Sequence, residues 1–107
     1  MNYLFSREQL DTILKQSMMY ACACPAQICK VIKDQRALYI YQQECINRDD
    51  TDKAVHQAIA SAIAETHPTL EACLKEVLLL EGWDLETLEM PAAILKKLMG
   101  DSADFVP

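Results

Sequence analysis

Apolar residues recur along most of this chain at steps of three and four, the period of a helix with one face turned to a core. The first run takes in Leu10, Ile13, Leu14, Ser17, Met18 and Ala21. It opens behind Ser6, whose hydroxyl can accept from the Gln9 backbone while the Gln9 side chain reaches back. Pro25 lacks a backbone donor and crowds the carbonyl four residues before it, so this helix should end ahead of it. The second run starts with Pro25 as first helical residue and reaches about Ile46, where Asn47 can take the left-handed terminal conformation. Its apolar positions, among them Ile28, Val31, Ile32, Leu38, Ile40 and Tyr41, cover more than one face, which predicts a central helix packed on several sides. The stripe keeps its phase across Pro25, as it would in one kinked helix. Two helices are still expected, because one helix of about 40 residues would be about 60 Å long, out of scale with the domain.

Asp49, Asp50 and Thr51 supply capping residues for a third helix, which carries Val55, Ala58, Ile59, Ala62 and Ile63 and which His67-Pro68 should end. A fourth, from Thr69, shows Leu70, Cys73, Leu74, Val77 and Leu78 before Gly82, a C-terminal cap. Asp84 can cap a short link over Leu85 to Leu88, and a fifth helix should run from Pro91 through Ile94, Leu95 and Leu98 to Gly100. The pattern therefore predicts an all-α fold, a compact bundle of about five helices with short connections and mostly antiparallel neighbours. Residues 1–100 form its single domain, and 101–107 an acidic, frayed tail with a lone Phe105. If Ile32 and Leu78 are core positions, truncating either to Ala should cost about 2 to 5 kcal/mol.

Size and charge narrow the function. At 107 residues one domain can bury roughly two-thirds of its unfolded surface without disulfides or metal. Residues 1–50 carry six acids and six bases, while 51–107 carry ten acids against four bases and hence the whole net charge of −6. An acidic half repels phosphate, which argues against nucleic acid as a partner. The longest uncharged stretch, Gln16 to Cys29, is 14 residues with two Gln, too short and polar for membrane insertion. Arg7, Glu8 and Asp11 interrupt the place where a secretory signal would need its apolar core, so a cytoplasmic protein with free thiols is expected.

The candidate chemistry centres on the stretch ACACPAQIC, which holds three of the five cysteines. Cys24, just before Pro25, should sit at the amino end of the second helix, where unpaired N–H groups and the helix dipole favour a thiolate. Cys22, Cys24 and Cys29 with Met18 form the candidate metal set. Thiolate and thioether donors select Cu(I), and a zinc site across helices could use Cys24, Cys29, Cys45 and Cys73. An iron–sulfur or redox-responsive role is the remaining thiol reading. Against all of these stands plain packing, since Cys and Met fill gaps between helices; no cofactor is expected. His56 reads as a boundary residue. His67 reads as a helix-terminal residue favoured in its charged form by the dipole, and Glu71 with Lys75 as a surface pair four apart.

Tyr39 and Tyr41 are two residues apart, so both cannot point into one core, and Trp83 falls in a turn; these three are the candidate interaction residues. Tyr3, Leu4 and Phe5 form an apolar start that could support self-association. There is no phosphate loop and no metalloprotease motif, and an enzyme assembled across helices would leave no local signature. The expected function is a protein-interaction adaptor or accessory factor, acting on another protein or by self-association. A thiol-based metal or redox protein is the alternative, and a small helical enzyme the next.

Overall fold

The structure, a computed structural model, describes residues 1–19 and 23–90. Those residues form three helices and no strand: α1 Arg7–Met19, α2 Ala23–Glu44 and α3 Asp50–Glu81. The described residues are all-α, but they do not form the five-helix bundle the pattern suggested. The expected third and fourth helices are one helix, and the expected fifth, with the tail, lies outside the described residues. α1 and α2 are separate, with Pro25 in the first turn of α2, where its missing donor costs little.

Pro68 does not end α3, because contacts on both sides of it tie the helix to α2. Thr66 accepts from the Gln35 side chain at 3.2 Å, and His67 and Glu71 both meet Arg36. The lost bond would have ended on the Ala64 carbonyl, and Ala64 and Pro68 are both exposed, so water can serve that carbonyl. α3 is 32 residues long, hence about 48 Å, against about 30 Å for the diameter of a small domain. One helix thus outruns the compact bundle expected.

The helix ends follow their sequence signals closely. Ser6 Oγ accepts from Gln9 N at 3.1 Å and Gln9 Oε1 from Ser6 N at 2.8 Å, the reciprocal cap at the start of α1. Asp49 accepts from Asp52 N at 2.8 Å at the start of α3, and Gly82 closes it with φ 81°. Beyond it Asp84 Oδ1 accepts from Glu86 N and Thr87 N, and Leu88 N donates to Asp84 O at 2.7 Å. Leu88 holds φ 57°, a left-handed conformation that a β-carbon disfavours, and its side chain is buried in the core.

α2 and α3 run antiparallel, with Asn47 against His56 at one end and Arg36 against His67 and Glu71 near the middle. α1 lies along the amino-terminal half of α2, tied on the surface by Lys33 to Asp11, whose carboxyl that bond holds below its usual range. The core fills this three-helix body: Leu10, Ile13, Cys29, Ile32, Leu74 and Leu78 are fully buried, joined by Phe5, Trp83, Leu88 and Met90. Past Arg36 and His67 the two long helices continue as a two-helix arm, residues 37–44 and 50–63, in which only Gln42 and Ala60 are buried. The expectation that α2 is covered on several sides fails for that reason. With two neighbours it leaves Val31, Leu38, Ile40 and Tyr41 exposed.

Candidate functional site

Where body meets arm, three charged or titratable side chains are buried together: Arg36, His67 and Glu71. Glu71, read from sequence as a surface partner of Lys75, points inward, because α3 continues past Pro68 and turns this position onto α2. Its Oε2 accepts from Leu4 N at 2.7 Å, Phe5 N at 2.9 Å and Arg36 Nη2 at 3.0 Å. Arg36 Nη2 also donates to the Phe5 carbonyl at 2.6 Å, and the Tyr3 ring lies under the guanidinium, 3.7 Å from its carbon. The first residues of the chain are thereby clamped across α2 and α3 by charge-assisted bonds. Phe5 enters the core and Tyr3 stacks on Arg36, so neither is a loose apolar start.

His67 is likewise not a helix-terminal residue. Its Nε2 lies 3.0 Å from Glu71 Oε1 and its Nδ1 3.1 Å from Gln35 Oε1, under the Tyr3 ring. Glu71 favours a charged ring and Arg36 opposes it, but the ring has no exposed surface, and burial is the largest influence. It pushes the His67 pKa below its usual value, the reverse of the dipole expectation. The cluster does not offer a reactive group to solvent; it orients and locks.

The arm holds a different arrangement. Along the α2–α3 seam the body has Cys29, Ile32, Leu74 and Leu78; the arm has polar groups and a groove of about 340 Å³. α2 and the residues after it contribute Tyr39, Gln42, Gln43 and Asn47; α3 contributes Lys53, His56, Gln57 and Ser61, with Ala60 and Ala64 lending room. His56 Nδ1 meets Asn47 Oδ1 at 2.7 Å, which leaves Nε2 as an acceptor. A second hollow of about 360 Å³, lined by Tyr3, Leu10, Ala37 and Ile40, carries Arg7, Lys33 and Arg36.

The residues singled out from sequence are scattered over this frame. Cys24 stands in the first turn of α2, the helix end where the sequence put it, and is exposed, but Cys29 is in the core, where burial pushes its thiol pKa up to about 12. A thiol held protonated is a poor metal ligand. Met18 is exposed, Cys22 lies outside the described residues, and among the described residues no group of three His, Cys, Asp or Glu could hold a metal ion. Of the interaction candidates, Tyr41 is 63% exposed and Tyr39 lines the polar groove. Trp83 is in the core with its indole N–H on Glu81 at 2.9 Å. Sequence reasoning missed the junction cluster because Arg36 lies 31 and 35 residues before His67 and Glu71, and those two read as a helix end and a surface pair. No helix among the described residues is long and apolar enough to cross a membrane. Compared with protein families, characterised proteins and solved structures, the chain matches none.

Proposed function

We propose that the protein is a cytosolic interaction module that docks through the outer line of α2, and that the partner seated there is a second copy of itself. The observation that supports this is the line itself. Cys24, Val31, Leu38 and Cys45 stand seven residues apart, close to two helical turns, so they stack along one edge of α2 facing away from α1 and α3. Cys45 continues the last turn, its N–H on the Tyr41 carbonyl at 2.9 Å. Val31, Leu38 and Tyr41 are 47, 41 and 63% exposed, an apolar strip longer than isolated surface residues make.

Charge favours an antiparallel copy. Lys30 flanks the line towards its start and Glu44 towards its end, so a second α2 in the opposite direction sets the basic end of each copy against the acidic end of the other. Asp34 lies on the same face near the middle, where the two-fold axis brings the carboxylates of both copies together. That repulsion keeps the pairing weak and reversible, which suits an adaptor. The test is sedimentation velocity from low micromolar to submillimolar concentration. The wild-type protein should pass from monomer to dimer, Leu38→Glu should stay monomeric, and Asp34→Leu should pair about tenfold more tightly or better, a gain of about 1.4 kcal/mol. A protein that stays monomeric throughout, or a dimer indifferent to both changes, refutes the reading.

A further inference from the structure

The seam between the arm helices breaks the rule that the seam in the body obeys. Two helices packed face to face bury apolar side chains, as α2 and α3 do at Cys29, Ile32, Leu74 and Leu78. In the arm the groove between the same two helices is lined by Gln42, Gln43, His56 and Gln57, while Leu38, Tyr41 and Val55 are exposed. Local rules broken at a cost to packing cluster at functional sites. The cost is visible here: Gln42 is 7% exposed, lines the groove, and has an Oε1 that is buried without a hydrogen-bond partner. A buried unpaired amide oxygen is unfavourable by about 1 to 3 kcal/mol until a donor reaches it.

We infer that this groove is a binding site for a small uncharged polyol of sugar size. Three features select that chemistry. The lining contains no carboxylate and a single cation, Lys53, so a cationic ligand has no counterpart and a polyanion too few. Gln42 Oε1 is without a partner and His56 Nε2 can accept, which favours a ligand with several O–H donors over a carboxylate, which has none, or a phosphate, which keeps at most one or two. The side-chain amides and Ser61 offer donors and acceptors together, and a hydroxyl answers both at once. A flat heterocycle would need an aromatic or apolar wall on each side, and the groove has one ring, Tyr39. The site is independent of α2 pairing, since it opens on the seam and not on the outer line.

The test is a heteronuclear NMR titration of the isotope-labelled full chain with glucose, galactose, mannose, N-acetylglucosamine and myo-inositol in turn, and with inorganic phosphate and adenosine monophosphate as anionic probes. At least one neutral compound should shift backbone resonances of residues 39–47 and 53–64 saturably, and Gln42→Leu should weaken it about tenfold or more while the melting temperature holds or rises. Gln57→Ala, a change at an exposed position, should weaken binding without touching the fold. No saturable shift with any of the five, binding of the anions alone, or affinity unchanged in both variants would overturn the assignment.

Discussion

At the scale of single residues, His67 does most to set how this protein responds to its surroundings. Its ring is buried against Glu71 and Arg36, and burial holds its pKa below the ordinary value of 6.5. The unfolded chain therefore takes up a proton at His67 that the folded chain resists. By linkage the contribution is fully present above about pH 6.5 and is lost as pH falls towards the folded value. Urea midpoints measured between pH 7.5 and pH 5 should fall with pH in the wild-type protein, and the fall should be shallower in His67→Gln, whose side chain does not titrate. A parallel decline in both would remove His67 from the account. None of this was legible in the sequence, where His67 reads as a helix end, because the residue's environment comes from α2 and the first five residues. Ser6, Asp49 and Gly82, in contrast, act through partners a few positions away, and their roles were readable directly.

At the scale of elements, the instructive case is α3. Apolar periodicity located its whole length, yet Pro68 divided it in two on paper, because a helix-interior proline costs about 3 kcal/mol relative to Ala. The helix persists because Thr66, His67 and Glu71 anchor it to α2 around the break. If that account is right, Pro68 is a liability tolerated for other reasons. Pro68→Ala restores a donor and should stabilise the protein by about 1 to 3 kcal/mol in chemical denaturation, with helicity unchanged or increased. A loss of stability would mean that the proline sets a bend the Arg36 cluster needs. α2 teaches the complementary point. Its length was legible to within two residues at its carboxyl end, but its apolar residues exceed what two neighbours can cover, and periodicity alone does not distinguish core from docking edge.

For the molecule as a whole, stability should be uneven. The body has three helices around a core in which Leu10, Ile13, Cys29, Ile32, Leu74 and Leu78 have no exposed surface; the arm has two helices, a polar groove and two buried residues. Amide exchange should accordingly be slowest in residues 28–36 and 70–80 and markedly faster in 50–63. Leu78→Ala, at a fully buried core position, should cost about 2 to 5 kcal/mol and speed exchange in the body and arm together, since the arm has no core to survive on. Exchange as slow in the arm as in the body would contradict this division. The all-α class and the antiparallel α2–α3 pairing followed from pattern and short connections. The split into body and arm did not, because it depends on how far α1 reaches along α2, which is a matter of tertiary docking.

The clamp on the first residues also sets an order of events during synthesis. The amides of Leu4 and Phe5 end on Glu71, 67 and 66 positions later in the chain. While the ribosome is still making the first half of α3, α1 and α2 can pair as a local hairpin, but the beginning of the chain has nothing to close upon and Arg36 has no carboxylate. The residues ahead of α1 can thus be fastened only after α3 has been made as far as Glu71, whose carboxylate closes the clamp.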